Sequence, residues 1–213
     1  MEEASKSAPL PVLVLPETVL FPRITMPLLL YEERELALLD ALQAKTPQGQ
    51  NPRLVLSMCQ WDSPYPQEAR PNPVGTLCEI LEADREGPER NILVRGLERI
   101  QLTETLQSEP YLLARAEPLS PGQWNRPAAG PRLSQLVEQL RERAQSMAFG
   151  GENPRGREIL NTIQWIEDPG VLADYVAHYL VHDWYLKQEI LEVTDPAERV
   201  QTVLEVLGGE GAL

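Results

Sequence analysis

The sequence predicts an α+β chain in two parts: a small mixed or barrel-like sheet with one helix, then a helical bundle. Three observations carry this. Short apolar runs with alternating character fill residues 10–117. The segment PLSPGQWNRPAAGPR (118–132) is rich in Pro and Gly, the composition of a boundary. Beyond it the apolar period changes from two to about 3.6 residues. We therefore expect a sheet unit over 1–118, a linker over 119–132 and a bundle over 133–213. A chain of 213 residues is long enough to bury a core without disulfides or metal.

In the first part, Leu10 to Pro16 is an apolar run bounded by prolines, and suits a buried strand. Glu17 to Pro22 reads as a loop ending in Leu20-Phe21-Pro22. Met26 to Leu30 is a second strand. Glu32 to Gln43 has helical periodicity, with Leu36, Leu39 and Leu42 expected on the inner face. Arg53 to Cys59 is the next strand. The stretch 62–73 holds Pro64, Pro66, Pro71 and Pro73, so it must be a surface loop. Val74 to Ala83 alternates, with Leu77, Glu79 and Leu81 on one side. Asn91 to Arg95 returns as a hairpin, Gly96 is expected to break the run, and Leu97 to Leu106 resumes it. Tyr111 to Glu117 completes seven expected strands.

In the second part, Leu133, Leu136, Val137, Leu140, Ala144 and Met147 follow one helical face, and Glu158 to Ile166 is a second helix. Asp168-Pro169 and Asp195-Pro196 each combine an N-cap with a first-turn proline. Glu198 adds the capping-box position after the second. Stripes Leu172, Tyr175, Val176, Tyr179, Leu180 and Val200, Val203, Leu204, Leu207 follow these starts. A short helix over Trp184–Glu192 lies between them, and Gly208-Gly209 stop the last. Four or five short helices are expected.

The charge narrows the partners. The net charge is −13, divided as 11 basic against 18 acidic residues up to Pro118 and 8 against 14 after it. Nucleic acid and anionic membrane, which need clustered Lys and Arg, are not expected as partners. Cys59 and Cys78 form no metal or secretory pattern and read as buried reduced thiols. The acidic N-terminus with Pro11 and Pro16 fits neither a signal peptide nor a membrane span, so a cytoplasmic protein is expected.

No phosphate-cradling loop and no nucleophile elbow is present. His178 and His182 are four apart, a spacing that puts both on one helical face, but the segment His-Tyr-Leu-Val-His has no general-base Glu. One partly buried and one exposed histidine is the plainer expectation. Adjacent carboxylates such as Glu32/Glu33 sit at helix starts and turns, where they are solvated. Catalytic residues, cofactor and metal are all expected to be none, and the chain reads as a binding module.

The opening LPVLVLPETVLFPRITMPLLLYEERELALLDAL (10–42) resembles that of the Lon protease N-terminal, substrate-binding family. VGTLCEIL (74–81), ILVRGLERIQL (92–102) and YLLARAEPL (111–119) follow in that family's order. IEDPGVLADYVAHYL (166–180) and KQEILEVTDPAERVQTVLEVL (187–207) are similar to its helical landmarks. The likeness covers nearly the whole chain. It implies a PUA-like β pseudo-barrel followed by a helical bundle. It also implies a role in holding unfolded or degron-bearing polypeptide, related to proteolysis and independent of ATP. The sequence carries neither the ATPase nor the protease of Lon, so a stand-alone module is expected.

Polypeptide binding calls for an exposed apolar patch. The candidates are Val19, Leu20, Phe21, Trp61 and Tyr65, all in expected loops. Phe21 equally suits a plug in the barrel end, and Trp61 and Trp124 equally suit lids folded onto the barrel. Addition of an extended peptide to a sheet edge is a further route. Trp165 and Trp184 are expected in the helical core. A small-molecule pocket at the barrel mouth would draw on Arg34, Arg95 and Arg99. RNA binding, which PUA-like barrels allow, would need a basic face. Here Arg85, Arg90, Arg95 and Arg99 are interleaved with Glu82, Asp84, Glu86, Glu89 and Glu98, which cancels the field.

Overall fold

The computed structural model describes residues 8–60, 70–119, 130–150 and 156–209. The chain divides into two compact units, Met1–Leu119 and Ser120–Leu213. Among the described residues the first holds six strands and one helix, and the second five helices: β1 (Leu10–Leu15), β2 (Thr25–Leu30), α1 (Glu33–Lys45), β3 (Arg53–Met58), β4 (Val74–Ala83), β5 (Arg90–Gln107), β6 (Leu112–Pro118), α2 (Pro131–Gly150), α3 (Gly156–Ile163), α4 (Pro169–Leu180), α5 (Trp184–Glu192) and α6 (Pro196–Gly208). The fold is α+β, as expected.

The sheet runs β2-β5-β4-β3-β1-β6, and β6 also pairs with β5. The ladder therefore closes through β5, β4, β3, β1 and β6, with β2 attached outside the ring. This is an irregular pseudo-barrel rather than a clean one. Its closure depends on the 18-residue length of β5. The first part of β5 pairs with β2, its middle with β4, and Ile100 to Gln107 with β6. The β1–β3 pair is parallel, which requires a long crossover, supplied here by β2 and α1. Val12, Val14, Val55, Leu77, Ile100, Ala114 and Ala116 form a core cluster that draws on every strand of the ring.

The expected break at Gly96 is not there. β5 passes through it, and the ladder with β4 shifts register between Leu77 and Cys78, opposite this glycine. What Gly96 supplies is room. A Cβ at this position would collide with the Phe21 carbonyl and approach Pro22 Cα at 3.2 Å. Gly75 likewise leaves space for the Leu56 carbonyl, 2.7 Å from where its Cβ would be. The glycines mark close backbone approach, and the two runs expected around Gly96 are one strand. Tyr111 lies just before β6 and is buried.

The α1 face is displaced from the expected one. Leu38, Leu39, Leu42 and Glu35 are buried, whereas Leu36 is only half-buried. Glu35 turns inward because its carboxylate accepts the Tyr31 and Glu32 N–H groups, both at 3.0 Å, and so satisfies donors at the helix start.

In the helical unit, α4 packs against α2, α3, α5 and α6. Asp168, Asp183 and Asp195 cap α4, α5 and α6 with side-chain oxygens. From α2, Arg141 donates to the Ile163 and Ile166 carbonyls and Arg143 to that of Leu207, closing the C-terminal ends of α3 and α6. Arg199 on α6 is buried and pairs with buried Asp174 on α4 at 3.1 Å. It also donates to the carbonyls of Val193, Thr194 and Gly170. The segments 166–180 and 187–207 thus each contribute one half of a buried ion pair.

Two further expectations change. Trp165 lies in the turn after α3 and is 80% exposed, and Trp184 opens α5 at 39%, so neither is core. His182 follows the C-cap residue Val181 of α4, so the two histidines do not share a helix. His178 is half-buried and His182 exposed. Cys78 is buried and Cys59 half-buried, and both are free thiols. No helix among the described residues is long and apolar enough to cross a membrane.

Candidate functional site

Of the loop residues expected to form a binding patch, Val19, Leu20 and Phe21 are core, at 5%, 1% and 0% exposed. The physical reason is backbone docking. Thr76 Oγ1 donates to the Leu20 carbonyl at 2.5 Å, the Phe21 carbonyl fits against Gly96, and Arg23 N–H donates to the Gly96 carbonyl at 2.8 Å. The apolar loop is thereby held on the sheet, and the buried alternative for Phe21 is the one adopted. Trp61, Tyr65 and Trp124 lie outside the described residues.

The three arginines do not converge. Arg99 is buried, with its guanidinium 6.0 Å from the Phe21 ring centroid. Arg95 is half-exposed and paired with Glu79. Hydrogen bonds from Asn51 and Arg95 hold the Glu79 carboxyl below its usual range. Arg34 lines a cavity.

That cavity, of about 420 Å³, is bounded by β1 residues Val12 to Val14, by Arg34, Glu35 and Leu38 on α1, by Arg70 and Pro71, and by the β5–β6 connection. Its volume lies within the range of ligand pockets. A more open cleft of about 930 Å³ includes the C-terminal end of α1 and the starts of β1 and β3. Its polar groups engage one another: Lys45 Nζ lies 3.4 Å from the Tyr111 hydroxyl, and Asn51 donates to Glu79 at 3.1 Å.

Among the described residues of the sheet unit, the exposed large apolar side chains are Leu29, Tyr31 and, on β5, Leu106. On β2 and just past it, Leu29 is 48% and Tyr31 62% exposed. Alternation places Pro27, Leu29 and Tyr31 on one side, while Met26, Leu28 and Leu30 are more buried. Among the described residues β2 ends the strand order and pairs with β5 alone. Pro27, with no N–H to give, is tolerated on such an end strand and also blunts it as a template for another strand. The strip therefore presents side chains more than backbone. The signal for it was in the sequence, since Met26–Leu30 alternates weakly, is apolar throughout and carries a proline.

No group of His, Cys, Asp and Glu able to hold a metal is found among the described residues.

The sequence pattern of the ATP-dependent protease La (LON) substrate-binding domain matches residues 9–208. Lon protease 2 of Thermus thermophilus is 29% identical over 209 residues, covering 96% of this chain and 24% of that protein. Lon protease of Dictyoglomus thermophilum is 30% identical over 208 residues, covering 94% and 24%. The chain thus spans about a quarter of the length of these relatives. In structure it is similar to the N-terminal domain of Mycobacterium avium complex Lon protease, with a TM-score of 0.74 at 21% identity over 95% of this chain and all of that one. A Lon N-terminal domain protein from Xanthomonas campestris gives a TM-score of 0.59 at 18% identity, covering 93% and 98%. With the fold and nearly the whole length matched, the chain belongs to the family of Lon substrate-binding domains.

Proposed function

We infer that this chain is a non-enzymatic module that binds unfolded or degron-bearing polypeptides in the cytoplasm and serves as an adaptor for proteolysis. The observation that carries the reading is the exposed strip of Pro27, Leu29 and Tyr31 on an end strand. A folded protein hides such side chains inside and an unfolded one displays them, so an apolar strip discriminates between the two without chemistry of its own. Family membership supports the same reading, because the family is described by substrate binding. The adaptor role is supported by relatives that are Lon proteases.

The test is a titration with a permanently unfolded polypeptide and with its folded counterpart, followed by backbone NMR. We expect shifts around Leu29 and Tyr31 with the unfolded form only. They should weaken about tenfold or more in Leu29→Asp and Tyr31→Asp, since each loses an apolar contact. Absence of shifts with either form at about millimolar polypeptide, a free energy of only about −4 kcal/mol, would sink the reading.

A further inference from the structure

We propose that the cavity beside β1 captures the carboxy-terminal end of a bound polypeptide, pairing its free α-carboxylate with Arg34 and Arg70. The proposal rests on the polypeptide-binding reading and adds to it a substrate class: chains that end in an apolar residue with a free carboxylate.

The first support is an open place in the sheet. β1 pairs with β6 over Leu10 to Val12 and with β3 over Val12 to Leu15. Peptide groups of successive residues point to opposite sides of a strand. The Leu15 carbonyl accepts from Cys59 N–H, 2.9 Å away at the end of β3, so odd residues address β3 and even ones address β6. Val14 therefore turns its N–H and C=O toward the β6 side, past Leu112, the first residue of β6 and the partner of Val12. Val14 and Leu112 both line the cavity. An extended segment entering there continues the ladder for one residue pair, the backbone part of peptide capture.

The second support is the lining. Val12, Leu13, Leu38 and Leu112 give the cavity an apolar wall, and Arg34 and Arg70 are the two cationic residues that line it. The guanidinium fork matches a carboxylate in a way an ammonium does not. Arg34 is drawn only to Glu32, at 3.0 Å in a pair whose side chains are 35% and 44% exposed. A pair so exposed to water is weak and yields to a better-placed acid. Two carboxylates share the lining. Glu35 is occupied by the N–H groups of Tyr31 and Glu32. Glu109 is exposed and opposes an incoming anion. Through Tyr31, whose N–H donates to Glu35, the cavity is joined in the chain to the β2 strip, so one polypeptide can use both.

The test uses the whole chain and a peptide of about ten residues ending in Ala-Leu, made as the free acid and as the C-terminal amide, with an unfolded protein alongside. The acid should bind about 10- to 100-fold more tightly than the amide, the range for losing a hydrogen bond to a charged group. Arg34→Gln with Arg70→Gln should erase that difference, and Glu109→Gln should enlarge it. All three positions are exposed or half-exposed, and retention of the wild-type NMR spectrum checks their folding. Acid and amide binding within about twofold of each other would overturn carboxylate capture and leave the polypeptide reading standing. So would binding of the unfolded protein with neither peptide bound. Failure of all three ligands would overturn both.

Discussion

The two units solve the same problem, a core that must accept polar chain, by opposite means. In the sheet unit the backbone carbonyls of the Leu20–Phe21 loop and of β3 are accommodated by small or hydroxyl side chains. The Leu20 carbonyl is met by Thr76, and Gly75 and Gly96 clear space for the Leu56 and Phe21 carbonyls. In the helical unit the polar contacts are made by charge: Asp174 and Arg199 pair in the interior, and Arg199 then gathers three carbonyls. Gly75 and Gly96 in the first unit therefore act by being small, and Asp174 and Arg199 in the second by being ionised. A substitution should fail for a different reason in each, and the two kinds of failure can be told apart.

The sharpest break is at the ion pair. Asp174→Ala leaves Arg199 charged and buried without its carboxylate, a loss of about 3–5 kcal/mol. The double variant Asp174→Leu with Arg199→Met removes both charges and should recover much of that loss, since apolar replacement of a buried pair is often neutral. Urea unfolding read from the amide signals of each unit separately checks this. Loss of stability in the helical unit alone, with partial recovery in the double variant, supports the contrast. An equal loss in the sheet unit would show that the two units do not melt separately and would break it.

The next effect also lies in the helical unit and is read through pH. Burial, and then the neighbouring Lys187 cation, push the His178 imidazole down to about 4 from 6.5. The fold therefore holds the neutral ring. Its contribution is fully present above pH 6.5, declines as the pH falls, and is lost by about pH 4, because the unfolded chain takes up the proton first. A shift of this size is worth about 2–3 kcal/mol after allowance for partial exposure. Comparing urea midpoints with His178→Gln between pH 7 and 4 isolates the effect from the carboxylates, which titrate in both proteins. Parallel curves would remove His178 as the source.

Much of this was legible in the sequence because it follows from periodicity and local chemistry. The Asp-Pro helix starts, the α2 face and the ring strands came from spacing and caps. What was hidden depends on partners distant in the chain. Asp174 sits in a helical stripe of apolar residues, and nothing nearby announces Arg199, 25 positions away. Glu17 and Arg23 adopt positive φ of 49° and 67°, a conformation that side chains do not advertise. They lie at either side of the segment that carries Phe21 inward, so a loop expected to be open is closed. Trp165 misled in the other direction, since its apolar bulk argued for core while its position after the end of α3 leaves it in solvent. The β2 strip could have been found from Pro27, because a proline inside an apolar strand marks a sheet end.

The smallest predicted effect tests the spatial half of the comparison. Gly96→Ala adds one carbon where the Phe21 carbonyl now sits. The obstacle is backbone, which cannot rotate away as a side chain end can, so the loop carrying Leu20 and Phe21 must lift. Two hydrogen bonds move with it, Arg23 N–H to the Gly96 carbonyl and Gly96 N–H to the Ile24 carbonyl. We expect a cost of about 1–3 kcal/mol, the usual range for overpacking, confined to the sheet unit. Amide exchange should quicken at Arg23 and Gly96 well before it does in α4 or α6. Ala at Gly49, whose Cβ would meet nothing within 4 Å but whose φ is +86°, separates the two roles of glycine. Its cost, of about 1 kcal/mol, comes from backbone conformation alone and should leave exchange at Arg23 and Gly96 unchanged. If Gly96→Ala behaved like Gly49→Ala, with a uniform small loss and no local opening, the close approach of Phe21 would not be what Gly96 provides, and the contrast between space in one unit and charge in the other would fall.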